Sequence, residues 1–320
     1  MEILNKLKTV LKIDILIWLI VGLVLSLASC QNKSVSIDLA INSDTTTIEQ
    51  EVIEKHEASS EFKTYWYAGE AEISSYKLEQ WRYGEMREGT AVLVYVTEDF
   101  LPDVQVKANY QNANNIPVLK LNAIKKFNTG VYPYSIMQST FYPVSNNKHA
   151  LKVSSSMQEW CGHVYAQLNN RKQFEINSHS YFEGEADKTF KLDKAILENE
   201  LWVKLRIDPK SLPTGDLKMI PSFEYLRLKH KTIKTYEASA SLTGNTYSIS
   251  YSELKRTLSI TFNPEFPFDI LSWEESFESG FGPNAKVLTT KAIKLKTIKS
   301  PYWQKNSNKD EMLRQTLKLD

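Results

Sequence analysis

Trp160-Cys161-Gly162-His163 is the one place in the 320-residue sequence where a thiol and an imidazole stand close together. A thiolate nucleophile needs a neighbouring base, and this tetrapeptide would supply both. On a strand, Cys161 and His163 share a face at roughly 6–7 Å between Cα atoms, so contact demands favourable rotamers. Zinc wants three or four ligands, and no second His or Cys stands nearby at ligand spacing. The reading carried forward is a small, buried, apolar thiol beside a packed Trp160. Glu183, Glu185 and Asp187 alternate, so an extended segment would project all three carboxylates from one face. Such a face could hold Ca²⁺ or pair an acid with a base. No Asp/Asn/Gly loop pattern accompanies them, and a solvated strand face offset by neighbouring lysines is the simpler expectation. His179 and His230 stand alone among polar neighbours, as surface residues do. Gly-x-Ser-x-Gly, Gly-x-Gly-x-x-Gly and phosphate-cradling loops are absent from the sequence. No catalytic, cofactor-binding or metal-ligating residue is assigned; Cys161, His163, Glu183, Glu185 and Asp187 are the candidates if a site exists.

The elements that would position these groups are strands. Ala91–Val96 is apolar on both faces, as a central buried strand would be. The clearest alternation runs from Thr235 to Phe262. Tyr236, Ala238, Ala240 and Leu242 form one pass, Thr243-Gly244-Asn245 turns, and Tyr247, Ile249 and Tyr251 return. Leu258, Ile260 and Phe262 make a third pass. Leu201, Val203, Leu205 and Ile207 alternate with Trp202, Lys204 and Arg206, which predicts a strand with one wet face. Lys291–Lys299 predicts a late strand with Ile293 and Leu295 on one face and Lys294 and Lys296 on the other. Short helices are expected only over Lys188–Asn199 and Lys309–Leu317, with one further helical turn near Thr47–His56. Ser279-Gly280-Phe281-Gly282-Pro283 reads as a turn. The expected fold is mainly β: an antiparallel meander, sandwich or open half-barrel with one or two short helices.

Composition fits a folded chain, with 42% apolar residues, 24% charged residues and only 11 Gly and 11 Pro. Formal charge is +1 from 39 basic and 38 acidic side chains. Without residues 1–29, which hold Lys6, Lys8 and Lys12 against Glu2 and Asp14, 36 of each remain. So balanced a chain has no global field to attract nucleic acid. Charge is nevertheless segregated locally. Residues 257–285 carry Glu265, Asp269, Glu274, Glu275 and Glu278 without a Lys or Arg, and residues 286–300 carry five lysines without an acid. Cross-strand pairing suits this arrangement, and a lysine-rich edge strand would deter aggregation. Most tryptophans should be core residues or cross-strand partners.

The N-terminus has the form of an export signal. Lys6, Lys8 and Lys12 precede Ile15–Ala28, fourteen residues without a charge. As a helix these reach about 21 Å, short of the ~30 Å hydrocarbon core, and suit a signal h-region. Leu27-Ala28-Ser29-Cys30 then resembles the lipobox of bacterial lipoproteins. That resemblance implies diacylglycerol on the Cys30 sulfur, cleavage before Cys30, and acylation of the new amine. Cys161 would then have no disulfide partner. Gln31 and Asn32 follow Cys30 without an acidic cluster, and by the same resemblance this implies the periplasmic face of the outer membrane as the default address.

As a whole, the chain resembles a group of Bacteroidota-type lipoproteins of unknown role that sometimes carry the label "septum formation inhibitor Maf". Leu27-Ala28-Ser29 is superficially similar to the opening of the Maf nucleotide pyrophosphatase signature, which continues Ser-Pro-Arg-Arg. Here Cys30-Gln31-Asn32-Lys33 follows, so the arginines that would grip a triphosphate are missing. That activity finds no support.

The expected organisation is a signal peptide over 1–29, a polar tether over 30–60, a β-rich domain over 61–303 and a polar tail over 304–320. A faint likeness of residues 69–78 to 184–192 would divide the β domain into 61–175 and 176–303. The leading functional expectation is a membrane-anchored envelope lipoprotein with a non-catalytic binding or structural domain, its partners the membrane through Cys30 and an envelope protein. The alternatives are a half-barrel carrying a hydrophobic ligand, which needs a cavity of several hundred Å³, and an envelope hydrolase. No cofactor and no nucleic acid is expected.

Overall fold

The computed structural model describes residues 57–145, 148–279 and 285–319. The lipobox, the h-region, the helical turn near Thr47–His56 and most of the Ser279–Pro283 turn lie outside the described residues. Among those described, sixteen strands join one sheet. They are β1 Ala71–Arg82, β2 Glu85–Leu101, β3 Val106–Lys107, β4 Ile116–Thr129, β5 Tyr132–Pro143, β6 Lys152–Glu159, β7 Gly162–Asn170 and β8 Phe174–Ser180. There follow β9 Lys188–Leu192, β10 Ile196–Leu197, β11 Gly215–Ile220, β12 Tyr236–Thr243, β13 Thr246–Tyr251, β14 Arg256–Phe262, β15 Ile270–Ser279 and β16 Lys286–Ser300. Four short helices accompany them: α1 Ser60–Trp66, α2 Glu198–Ile207, α3 Phe223–Leu228 and α4 Met312–Thr316. The mainly β expectation holds.

The pairing order is β10-β11-β12-β13-β14-β15-β16-β1-β2-β4-β5-β6-β7-β8-β9, with β3 on β2. All pairs are antiparallel except β10 with β11. This order forces the sheet to curl. Strands about 4.8 Å apart would hold the two ends of a flat sheet of this width some 65 Å apart. Yet β9 and β10, at opposite ends, are joined only by Asp193, Lys194 and Ala195, a link that reaches at most about 14 Å. The sheet therefore wraps around on itself, and α2, which follows β10 directly, is delivered into its interior.

Side chains confirm that placement. α2 receives contacts from β1, where Arg206 meets Glu72, and from β2, where the Tyr95 hydroxyl donates to the Trp202 carbonyl at 3.0 Å. It also meets β5, where Asn199 donates to Gln138 at 2.9 Å, and β14, where Arg256 meets Glu198. One core joins α2 and α3 to the inward residues of almost every strand, including Leu78, Leu121, Ile136, Ile176, Ile249 and Ile260.

The three passes over 235–262 form as expected. Gly244 supplies the positive φ, +58°, that the β12–β13 turn requires. Ala91–Val96 lies in central strand β2, and its two apolar faces have different causes. Ala91, Leu93 and Tyr95 join the main core, whereas Val92, Val94 and Val96 pack against Leu317 beyond α4. The expected C-terminal helix forms in part as α4 and thereby covers the outer face of β1 and β2.

Three expectations are corrected. Residues 201–207 are helical, and most of the α2 surface is enclosed, with only Trp202, Lys204 and Ile207 partly exposed. Glu198, Asn199, Glu200, Leu201, Val203, Leu205 and Arg206 are all buried, so no polar stripe marks a 3.6-residue period. Residues 188–197 form β9 and β10, and helix begins only at Glu198. The late strand β16 forms, but between β15 and β1 rather than at an edge. A register shift opposite Ser75/Tyr76 passes over Leu295, so on the other side of that bulge the facing inverts. Ala292 is fully buried while Ile293 is 57% exposed. Among the described strands that pair on one side only, β9 carries Lys188 and Lys191 and β3 carries Lys107.

Candidate functional site

Cys161 occupies the turn between β6 and β7 and is exposed, not buried. Trp160 beside it is 69% exposed, its ring 6.3 Å from that of Tyr132. A two-residue hairpin turn points its side chains into solvent, which is why packing does not enclose either. Glu159 accepts the Cys161 N–H at 2.7 Å. A side-chain hydrogen bond to the same carboxylate, with slight desolvation and its charge, pushes the thiol above its ordinary value despite an opposing contact from Tyr181. An activated nucleophile needs the reverse. His163, exposed on β7, pairs across the ladder with Gln158.

Glu183, Glu185 and Asp187 do not share a strand face. They lie in the bend between β8 and β9, where Ala186 takes a positive φ of 49°, and they diverge. Glu183 is exposed. Asp187 lies 3.3 Å from His179. Glu185 accepts from Ser180 Oγ at 2.8 Å and from His230 Nδ1 at 2.7 Å. Both histidines are surface residues, but each has a carboxylate partner rather than standing alone.

The densest polar grouping is one that sequence reasoning missed. On the inner side, Arg206 forms a two-pronged pair with Glu72, both bonds 2.7 Å, and donates to the Pro267 carbonyl at 2.8 Å. The guanidinium sits over the rings of Trp66 and Tyr95, at 5.0 and 4.6 Å. Burial would raise the Glu72 carboxyl, but the Arg206 charge and its bonds, with the Tyr65 hydroxyl, hold it below the ordinary value. A second arginine, Arg256, forks onto Glu198 at 2.5 and 2.7 Å and reaches Glu275 at 2.6 Å. Tyr251 adds a hydrogen bond to Glu198 at 2.8 Å.

Glu224 at the start of α3 takes Lys125 Nζ at 2.7 Å and Gln138 Nε2 at 3.1 Å. Burial outweighs Lys125 and raises its carboxyl. For Glu275 the Arg256 and Lys125 charges overcome burial and lower it. Carboxyls driven in opposite directions around a hollow are what acid–base chemistry uses. The hollow among Leu93, Lys125, Glu198, Trp202, Glu224 and Trp273 holds about 50 Å³. That is room for water, not for a substrate. Partners of Arg206 and Arg256 stand 134 and 58 residues away in sequence, so no local motif announces them. The faint signal was Glu198 and Glu200 at one end of residues 198–207 with Lys204 and Arg206 at the other, the order that suits a helix dipole.

The charge segregation over 257–300 is met in part by pairing between the two segments, while Glu275 and Glu278 turn to Arg256 and Lys255. Glu274 faces Lys291 across β15–β16 at 2.9 Å, and Asp269 takes Lys294 at 2.7 Å. A second pocket, about 170 Å³, lies between α3 and strands β7–β9. Among the described residues no cluster of three or more His, Cys, Asp or Glu is placed to hold a metal, and no helix is long and apolar enough to cross a membrane.

No protein-family model matches the chain, and no curated protein sequence matches it. Among solved structures it is similar to a beta-barrel-like protein of the DUF1849 domain of unknown function from Brucella abortus. Identity is 8%, the TM-score 0.37, with 72% of this chain and 97% of that one covered. It is also similar to a porin-like protein from Bacteroides uniformis, at 8% identity and TM-score 0.22, covering 71% and 96%.

Proposed function

We propose that this chain is a lipid-anchored envelope protein whose β domain is a non-catalytic binding or structural module. The observation that carries the second half is the filled interior. α2 and α3 pack inside the curled sheet, the inner arginines are neutralised by Glu72, Glu198 and Glu275, and the hollow that Glu198, Glu224 and Glu275 line holds only about 50 Å³. A carrier of a hydrophobic molecule needs several hundred Å³, and a hydrolase needs a cleft open to substrate. The first half rests on the Leu27–Cys30 lipobox behind a fourteen-residue apolar run. Two or more acyl chains on Cys30 give stable attachment, where one would hold only reversibly. The outer membrane, periplasmic side, is the proposed address.

The test is growth of a producing bacterium with radiolabelled palmitate, followed by immunoprecipitation and membrane fractionation. The wild-type chain is expected to carry label and sediment with the outer membrane, and Cys30→Ala to lose both. An unlabelled wild-type chain in the soluble fraction refutes the proposal.

A further inference from the structure

The pocket between α3 and the β7–β9 end of the sheet has two chemically different halves. Its wall is apolar: Val164 and Ala166 from β7, Phe190 from β9, Phe223 and Leu226 from α3, and Ile233. Its rim carries Arg227, Lys188 and Lys231 against a single carboxylate, Glu185. His230 also lines it.

Arg227 is the buried cation of this pocket. Its side chain is nine-tenths buried, and its Nε is enclosed with no hydrogen-bond partner among the described residues. The nearest carboxylate oxygen, on Glu185, is 3.7 Å from Nη1. Glu185 is already engaged by Ser180 and His230. The contact of Arg227 Nη1 with His230 Nδ1, at 3.3 Å, adds little. Nδ1 donates its proton to Glu185 at 2.7 Å and so has no lone pair to offer the guanidinium, which leaves Nε2 as a weak acceptor at 3.5 Å. The guanidinium is instead held against the Phe182 ring at 4.1 Å. An enclosed Nε–H left without an acceptor is costly, and a guanidinium fork matches a planar carboxylate.

We propose that this pocket binds a small carboxylate bearing a ring-sized apolar group, with the carboxylate on Arg227 and the ring against Phe190, Phe223 and Ile233. Size sets the class. A cavity of about 150 Å³ accepts benzene, and this one measures about 170 Å³, so one ring fits inside it. Lys188 and Lys231, both exposed, add attraction at the mouth without packing constraints. The proposal is independent of the anchor at Cys30.

The experiment is isothermal titration of the purified full-length chain with benzoate, benzyl alcohol and inorganic phosphate. Benzoate is expected to bind about tenfold or more tightly than benzyl alcohol, since a charge-assisted bond is at stake, and more tightly than phosphate, which lacks the ring. Arg227→Met, which keeps the stem on Phe182, should abolish the preference for benzoate over the alcohol. Lys188→Glu with Lys231→Glu alters only exposed positions and should weaken benzoate severalfold. This double variant decides the matter alone if Arg227→Met fails to fold. Equal affinity for benzoate and benzyl alcohol overturns the proposal. So does phosphate binding as tightly as benzoate, or benzoate affinity unchanged in the double variant.

Discussion

Replacing Glu72 by Gln leaves the shape of the inner ion pair and removes its charge. Arg206 would remain enclosed between Trp66 and Tyr95 with the Pro267 carbonyl at 2.8 Å and the more distant Asp269 at 3.4 Å. Breaking a buried pair by removing one partner costs about 3–5 kcal/mol, because the surviving charge is uncompensated. Against a total of roughly 5–15 kcal/mol for a folded domain, that is about a fifth at the least. With about 2–4 °C of melting temperature per kcal/mol for domains of comparable size, Glu72→Gln should melt roughly 6–20 °C lower. Urea denaturation should show a reduced midpoint with an unchanged slope. The pH dependence has a definite sign. The Glu72 carboxyl is held below its ordinary value in the folded chain, so its contribution is complete above the unfolded value near pH ~4.3. It is lost as pH falls through the lower, folded value, and Glu72→Gln should lack this component of acid denaturation. The double variant Glu72→Leu with Arg206→Met should be less destabilised than either single change, since two apolar groups leave no orphan charge. Loss of under about 1 kcal/mol in Glu72→Gln, or simple additivity in the double variant, would refute the clamp argument.

Glu224→Gln should cost less than half as much as Glu72→Gln in the same urea titration, because burial already disfavours the ionised form of Glu224. Leu317→Asp should expose Ala71, Ile73 and Val96 and lower stability by about 2 kcal/mol, with near-unchanged stability counting against the docking of the C-terminal turn. Cys161, although exposed, should alkylate slowly with iodoacetamide at pH 8, and Glu159→Gln should speed the reaction severalfold by releasing the thiol from the carboxylate that holds it protonated; an unchanged rate would contradict that role.

The outer shell of this fold was legible because each strand buries one face. Tyr236 to Phe262 alternate with the pleat, and the turn at Gly244 falls where its positive φ is needed. The contents of the shell were not. A helix buried over most of its surface shows no clean polar stripe, so Leu201, Val203, Leu205 and Ile207 imitate a strand, and Arg206 imitates a wet position while pairing with Glu72. Ile293 and Leu295 alternate with Lys294 and Lys296 in sequence, but the bulge at Leu295 breaks that shared facing and leaves Ile293 exposed. The carboxylates at 183–187 were read as extended, and the positive φ at Ala186 gives no sequence signal of its own. Arg227 and the apolar wall it faces come from segments separated by up to some sixty residues. Only the curl of the sheet brings them together.

Mass spectrometry of the N-terminal peptide from the native membrane-extracted protein tests the central proposal most directly. The account predicts a peptide beginning at Cys30 and carrying a diacylglyceryl thioether with an acylated amine. A peptide beginning at Met1 with an unmodified Cys30 would contradict it.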